Sequence, residues 1–342
     1  MESAKDPLHG VTLEQILVAM QKRHGWAGLG RRIEVRCFLY DPSIKSALTF
    51  LRKTPWARSK LEAWYLRELP RGGAPKAPPA PEPCIISVAR TAAELLGVKA
   101  GLAPEAAPAD GRVLALAPGG VKKLLLYAPD AIGRNFISKQ ASTFACLDDT
   151  GFSRLPLRSV YPPKTPVCFA SMFSGLTPHG HGIKQYEKPQ LACPTLFDAL
   201  PAAGLRAGIV AVKDSSMDLI FRGRPVDYYS EPDDAAVTAR ALALIAEGLH
   251  DALVVYHQEY DDVLHAGSPW AEKAMAAAGH HVKSFRELVN AFDTRWAALP
   301  RAAAFLPDHG AHVDPATGRG THGDDIPADM SLFHFWRAGR AG

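Results

Sequence analysis

Apolar and polar positions change rhythm along the chain. Between residues 12 and 69 the rhythm is helical. LEQILVAMQKRHG (13–25) repeats apolar residues at three- and four-residue intervals behind Thr12, a cap residue. PSIKSALTFLRKT (42–54) reads the same way, with Asp41 as cap and Pro42 at the first helical position. PWARSKLEAWYLREL (55–69) predicts a third helix. The rhythm then fails in PRGGAPKAPPAPEP (70–83), whose composition predicts an extended, semi-stiff linker.

After residue 84, short apolar runs alternate with long amphipathic ones. VKKLLLYAPD (121–130), RAGIVAVKD (206–214), DALVVYHQE (251–259) and AAAFLPDHG (302–310) predict buried strands that run into polar ends. Residues 233–249 and 272–296 predict helices between them, and His280 and His281 fall inside the second as surface or packing residues. The alternation predicts an α/β domain over 84–342 with a mostly parallel sheet sandwiched by helices, preceded by a small all-α domain over 1–69.

Charge sharpens this division. Residues 1–71 hold 13 Lys and Arg against 7 Asp and Glu, a net of +6, whereas the remainder holds 26 against 28. The basic domain suits an anionic partner. No run of 18 apolar residues exists, which predicts no membrane span, and MESAKDPLHG lacks the layout of a signal peptide. Cys37, Cys84, Cys146, Cys168 and Cys193 are odd in number and form no CxxC pair, which predicts free thiols in a reducing cytoplasm. GWAGLG (25–30) has no strand–turn–helix context and is not a phosphate loop.

Parallel sheets bind ligands beyond the carboxyl ends of their strands. Here those ends carry Asp130; then Glu259, Asp261, Asp262 and His265; then Asp308 and His309, followed by His322 in GRGTHGDD. Carboxylate and imidazole are ligands that Zn2+ and Mn2+ accept. Each residue alone reads as readily as a turn, cap or packing residue. Their convergence on one sheet edge favours a metal site. Thr165, before Pro166 and a helical VCFASMF, is placed as an N-cap where the helix dipole favours an anion; it is either a nucleophile or only a cap.

Taken in order, these segments resemble the alkaline phosphatase superfamily, and most closely its type I phosphodiesterase/nucleotide pyrophosphatase branch, over about residues 84–337. The motifs are an Asp after the first strand, Lys-Thr-Pro before SGLTPHGHGI, Asp-x-x-x-His, Asp-His-Gly and Gly-Thr-His-Gly. The resemblance implies two divalent metal ions, Zn2+ or Mn2+. One would be held by Asp130, Thr165, Asp308 and His309, the other by Asp261, His265 and His322. It implies a phosphate-ester or nucleotide substrate and a phosphothreonine intermediate on Thr165. Glu259 and Asp262 are then either groups that orient the histidines or solvated acids.

The family's asparagine, three residues after the nucleophile, is replaced here by Cys168, leaving Asn135, Lys184 and Arg134 as candidate phosphoryl contacts. The sulfatase signature Cys-x-Pro-x-Arg is absent. Only 67 residues separate Ile183 from Asp251, too few for the cap of a phosphomutase, which predicts an open site.

The N-terminal segments DPLHGVTLEQIL, GWAGLGRRIEVRCF and DPSIKSALTFLRKTPWARSKLEAWYL resemble a small helical bacterial family described as DNA-binding. The implied nucleic-acid contacts are Arg31, Arg32, Arg36, Lys45, Arg52, Lys53, Arg58 and Lys60, with Trp26 and Trp56 near them; a solvated basic bundle with tryptophans in its core is the other reading. Arg32 and Arg36 fit one helix face or an alternating strand equally well. A second class of function is a nucleic-acid-binding protein whose α/β domain holds metal or ligand without catalysis.

Overall fold

The computed structural model describes residues 11–40, 42–68 and 83–340. The predicted linker lies almost entirely outside them, and the predicted cap Asp41 lies outside them too. Two compact units divide the chain, Met1–Pro81 and Glu82–Gly342.

The first unit is helical throughout its described residues. Thr12 caps the helix Leu13–Arg32 through a reciprocal box with Gln15. That helix bends at Gly25 (φ 63°) and continues through GWAGLG, beyond its predicted end. The next helix of length is Ile44–Lys53, capped by Ser43 and not opened by Pro42: Ser43 and Ser46 satisfy each other's backbone amides. Pro55–Glu68 completes the bundle. Arg32 closes one helix and Arg36 opens a short one, Arg36–Leu39, so the two arginines share neither a helix nor a strand. Leu17, Met20, Leu29, Leu51 and Leu61 are fully buried and form the core.

The second unit is built on a seven-stranded sheet. Its strands are β1 (Lys123–Pro129), β2 (Ser153–Arg158), β3 (Ala207–Val212), β4 (Asp227–Glu231), β5 (Ala252–His257), β6 (Arg301–Phe305) and β9 (Ser331–Gly339). β7 (His312–Val313) and β8 (Gly320–Thr321) form a separate pair. The order is β2-β9-β6-β1-β5-β3-β4, with β9 antiparallel to its neighbours β6 and β2 and the other pairings parallel. This is the mostly parallel α/β sheet that the alternation predicts.

β1 shows why its strand is a continuous apolar run. Leu124, Leu126 and Ala128 face one core, with Val167, Phe169 and Phe173 of the helix Thr165–Ser174. Leu125 and Tyr127 face the other, with helices Asp234–Glu247 and Glu272–Arg295. Successive side chains point to opposite faces, and both faces are covered. β2, β4 and β9 do not stand out in the sequence: β2 and β4 are half-buried edge strands. Among the described residues no helix is long and apolar enough to cross a membrane.

Candidate metal centre

Four chain segments bring the predicted ligands to one end of the sheet. β1 ends at Pro129, and Asp130 follows with its amide bonded to the His257 carbonyl at 2.9 Å. The next residue, Ala131, has φ 61°, uncommon for a residue with a Cβ, and its amide meets Asp308 Oδ1 at 3.3 Å. β6 runs into Asp308 and His309, both fully buried. After β5 the chain forms the helix Glu259–Ala266, not a loop, so Asp261 and His265 stand one turn apart on one face. The β7–β8 pair returns the chain to place His322 opposite them.

The ligating atoms of Asp130, Asp308 and His309 lie within 4.8 Å of one another, and so do those of Asp261, His265 and His322. Thr165 Oγ1 lies 3.4 Å from Asp130 Oδ1 and 3.3 Å from His309 Nε2. Thr165 is the first residue of its helix, with Lys164 at the cap, so the helix starts one position earlier than the sequence suggests. The His309 and His322 rings stack at 4.1 Å, so the two groups share a wall.

The histidine tautomers follow from what each ring faces. His309 Nδ1 donates to the Gly310 carbonyl (3.0 Å), His265 Nδ1 to that of Gly320 (3.0 Å) and His322 Nδ1 to that of Pro163 (2.8 Å). Each neutral imidazole therefore turns a bare Nε2 lone pair inward. The Nε2 atoms of His265 and His322 face each other at 3.1 Å, with Asp261 Oδ1 3.4 and 3.6 Å away. Asp261 Oδ1 and Asp308 Oδ2 are buried and have no hydrogen-bond donor among the described residues. Lone pairs and carboxylate oxygens converging without donors fit a cation at each group.

The electrostatics agree. Burial, with the nearby Asp308 and Asp261 carboxylates, pushes Asp130 well above the usual carboxylate range. Burial pushes Asp308 up to about 6. Burial also works against the charge on Asp261, but the His265, His322 and His309 imidazoles around it outweigh that and hold its carboxyl low. The Asp261 carboxylate 3.4 Å away raises His265, whereas burial lowers His322 to about 3.

A cavity of about 230 Å3 opens on Thr165, Asp130 and Asp261. Lys188, Lys213, Tyr186, Ser215 and Ser216 also line it, none of them singled out by the sequence reading. Tyr256, from the predicted strand β5, donates to Asp130 Oδ2 at 2.5 Å. Asn135 lines a different cavity together with Arg134, and Lys184 is exposed and lines neither. Cys168 is fully buried, 3.2 Å from Ser159 Oγ, which donates to the Asp308 carbonyl at 2.6 Å. Glu259 pairs with His280 at the surface and Asp262 accepts from Gln258, so neither orients a ligand histidine.

A third group, Asp234, His257 and His281, has ligand spacing too. Its hydrogen bonds exclude a cation. His281 Nε2 accepts the Tyr260 amide (3.2 Å), which leaves the proton on Nδ1, the atom that would have to coordinate. That Nδ1–H faces Tyr127 Oη, which in turn donates to His257 Nδ1 at 2.8 Å. His257 Nε2–H meets Thr238 Oγ1 at 3.2 Å, and Thr238 donates to the Asp234 carbonyl at 3.0 Å. Every donor has an acceptor. The group is packing, as read for His281 from sequence.

In the N-terminal unit Arg31, Arg32, Arg36, Lys45, Arg52, Lys53, Arg58 and Lys60 are all exposed. Trp56 is 53% exposed with Lys60 over its ring, whereas Trp64 is buried and Trp26 packs at the core margin.

Residues 125–191 match the family model of type I phosphodiesterase / nucleotide pyrophosphatase. Residues 4–66 match that of DNA-binding protein VF530. Both resemblances drawn from the sequence are thereby borne out as family-model matches. No curated protein matches the chain. Similar solved structures include phosphonoacetate hydrolase from Sinorhizobium meliloti 1021 in complex with phosphonoformate (17% identity, TM-score 0.43). Murine ectonucleotide pyrophosphatase / phosphodiesterase 5 in complex with AMP (16%, 0.45) and the human protein (15%, 0.44) are similar as well. Each alignment covers 56% of this chain and 57% of the other, so the chain spans little more than half the length of these solved proteins.

Proposed function

We propose that the chain is a metal-dependent phosphoric ester hydrolase with Thr165 as nucleophile. Asp130, Thr165, Asp308 and His309 would hold one divalent cation, and Asp261, His265 and His322 a second. The observation that carries this reading is the gathering of three bare imidazole nitrogens and two donorless carboxylate oxygens into two adjacent groups, one of which meets Thr165 Oγ1 through Asp130 Oδ1 and His309 Nε2. The mixed oxygen and nitrogen donors accept Zn2+ or Mn2+. Such ions supply Lewis-acid activation of a hydroxyl and neutralise charge on a phosphoryl group.

The protein's own residues do the rest. The Thr165 hydroxyl sits at the start of a buried helix, where backbone amides and dipole favour an incoming anion. Its proton has Asp130 Oδ1 and His309 Nε2 within 3.4 Å. Attack by Oγ1 on phosphorus forms an Oγ1–P bond as the P–O bond to the ester oxygen breaks, leaving a phosphothreonine; water then attacks phosphorus, breaks the Oγ1–P bond and frees Thr165 together with phosphate, or with a phosphate monoester when the substrate is a diester. Lys188 and Lys213 on the cavity wall complement an anionic substrate, and about 230 Å3 suits a small phosphate ester or part of a nucleotide. With Cys168 fully buried and outside the cavity lining, these lysines stand in for the family's asparagine.

The N-terminal unit would bring the enzyme to DNA through phosphate contacts from its exposed Arg and Lys side chains, binding that weakens steeply with salt. Five unpaired thiols support a reducing cytoplasm.

The test is hydrolysis of bis-p-nitrophenyl phosphate and p-nitrophenyl phosphate by chelator-stripped protein with Zn2+ or Mn2+ restored. Turnover should require the cation and vanish in Asp261→Ala. Two bound cations with no turnover of any phosphate ester would favour the reading of a nucleic-acid-binding protein that holds metal without catalysis.

A further inference from the structure

One fully buried carboxylate lies outside both candidate ligand groups yet is bonded to the chain beside each. Asp329 sits in the one-turn helix Pro327–Met330 with no exposed surface. Its Oδ2 accepts the amides of Gly323 (2.9 Å) and Asp324 (3.0 Å), the two residues after His322. Its backbone carbonyl accepts the amide of Gly310 (2.8 Å), the residue after His309. Its Oδ1 accepts from His312 Nδ1 (2.8 Å), whose ring is thereby fixed beside the β7–β8 pair.

The packing leaves this junction no slack. A Cβ on Gly310 would stand 2.1 Å from the Ala328 carbonyl oxygen and 2.9 Å from Gly133 Cα. Gly323 has φ 126°, a backbone that side chains rarely adopt. With the His309 and His322 rings stacked at 4.1 Å, a slip of either segment would change the distance between the two ligand groups directly.

We propose that Asp329 is a positioning residue that sets the separation of the two cation groups by tying the His322 segment to the His309 segment. It touches neither substrate nor reacting atoms. The inference rests on the two-cation reading above. Asparagine offers the same shape: its carbonyl oxygen can take both loop amides while its amide group donates to the other His312 tautomer. Alanine offers neither contact.

The experiment is cation titration by calorimetry on the chelator-stripped full chain, using Zn2+ and Mn2+ alone, with steady-state kinetics alongside. Wild type should bind two cations. Asp329→Ala should keep the first and bind the second roughly 10- to 100-fold more weakly, the scale typical for outer-shell changes. Its kcat should fall with KM nearly unchanged, and Asp329→Asn should restore most of both. Two cations bound by Asp329→Ala at wild-type affinity would overturn the proposal. If Asp329→Ala does not fold, Asp329→Glu carries the test: it keeps the acceptor on a longer arm, so second-cation affinity should again fall, and unchanged affinity overturns the proposal. A wild type that binds no cation would instead overturn the two-cation reading.

Discussion

Backbone carbonyls, not acids, aim the three inward imidazoles. Gly310, Gly320 and Pro163 each hold one Nδ1–H. That arrangement fixes the tautomer without adding charge. It also explains which residues are legible in the sequence. Asp130, Asp261, His265, Asp308, His309 and His322 stand out because each follows a predicted strand or sits among glycines. Tyr256 reads only as part of an apolar run, although its hydroxyl reaches Asp130. Lys188, half-buried, and Lys213, exposed, lie on separate segments, and only the folded chain shows that they line one cavity.

At the scale of elements, the helix Glu259–Ala266 matters most. A helix begins with amides that lack intrahelical partners. Here Asp234 accepts those of Gln258 and Glu259, each at 3.0 Å, and His281 accepts that of Tyr260 at 3.2 Å. The cap thus comes from the two helices packed beside it, not from the local sequence, so EYDDVLHA carries no helix-start signal of its own. Central strands β1, β3, β5 and β6 were legible because apolar runs covered on both faces leave a continuous signature. Edge strands β2 and β4 were not, because half-buried residues alternate weakly. Replacing Asp234 with alanine should strand two amides and cost about 1–2 kcal/mol, read as a lower urea midpoint. An unchanged midpoint would show that those amides find other acceptors.

For the whole molecule, buried titratable groups set the pH response. Burial lowers His181 and His334 to about 4 and His281 to about 3, and holds His257 well below the ordinary imidazole value. Unfolded, each takes a proton near pH ~6.5. Between these values the unfolded chain binds more protons, so unfolding free energy rises with pH through that window. Asp234, pushed up to about 6 by burial, acts in the opposite sense, as do Asp130 and Asp308, while burial-lowered His322 joins the other imidazoles. The imidazoles outnumber the carboxyls. Chelator-treated protein should therefore be less stable to urea at pH 5 than at pH 7, by ~1 kcal/mol or more. A flat or inverted profile would mean that the buried carboxyls dominate.

The central claim is that Thr165 carries the phosphoryl group. The direct measurement is acid quench of the cation-loaded protein during turnover of a p-nitrophenyl ester, followed by peptide mass spectrometry. Phosphate is expected on Thr165, and in Thr165→Ala both loss of turnover and retention of bound cation. Turnover that persists in Thr165→Ala, with no phosphorylated peptide from wild type, would contradict it.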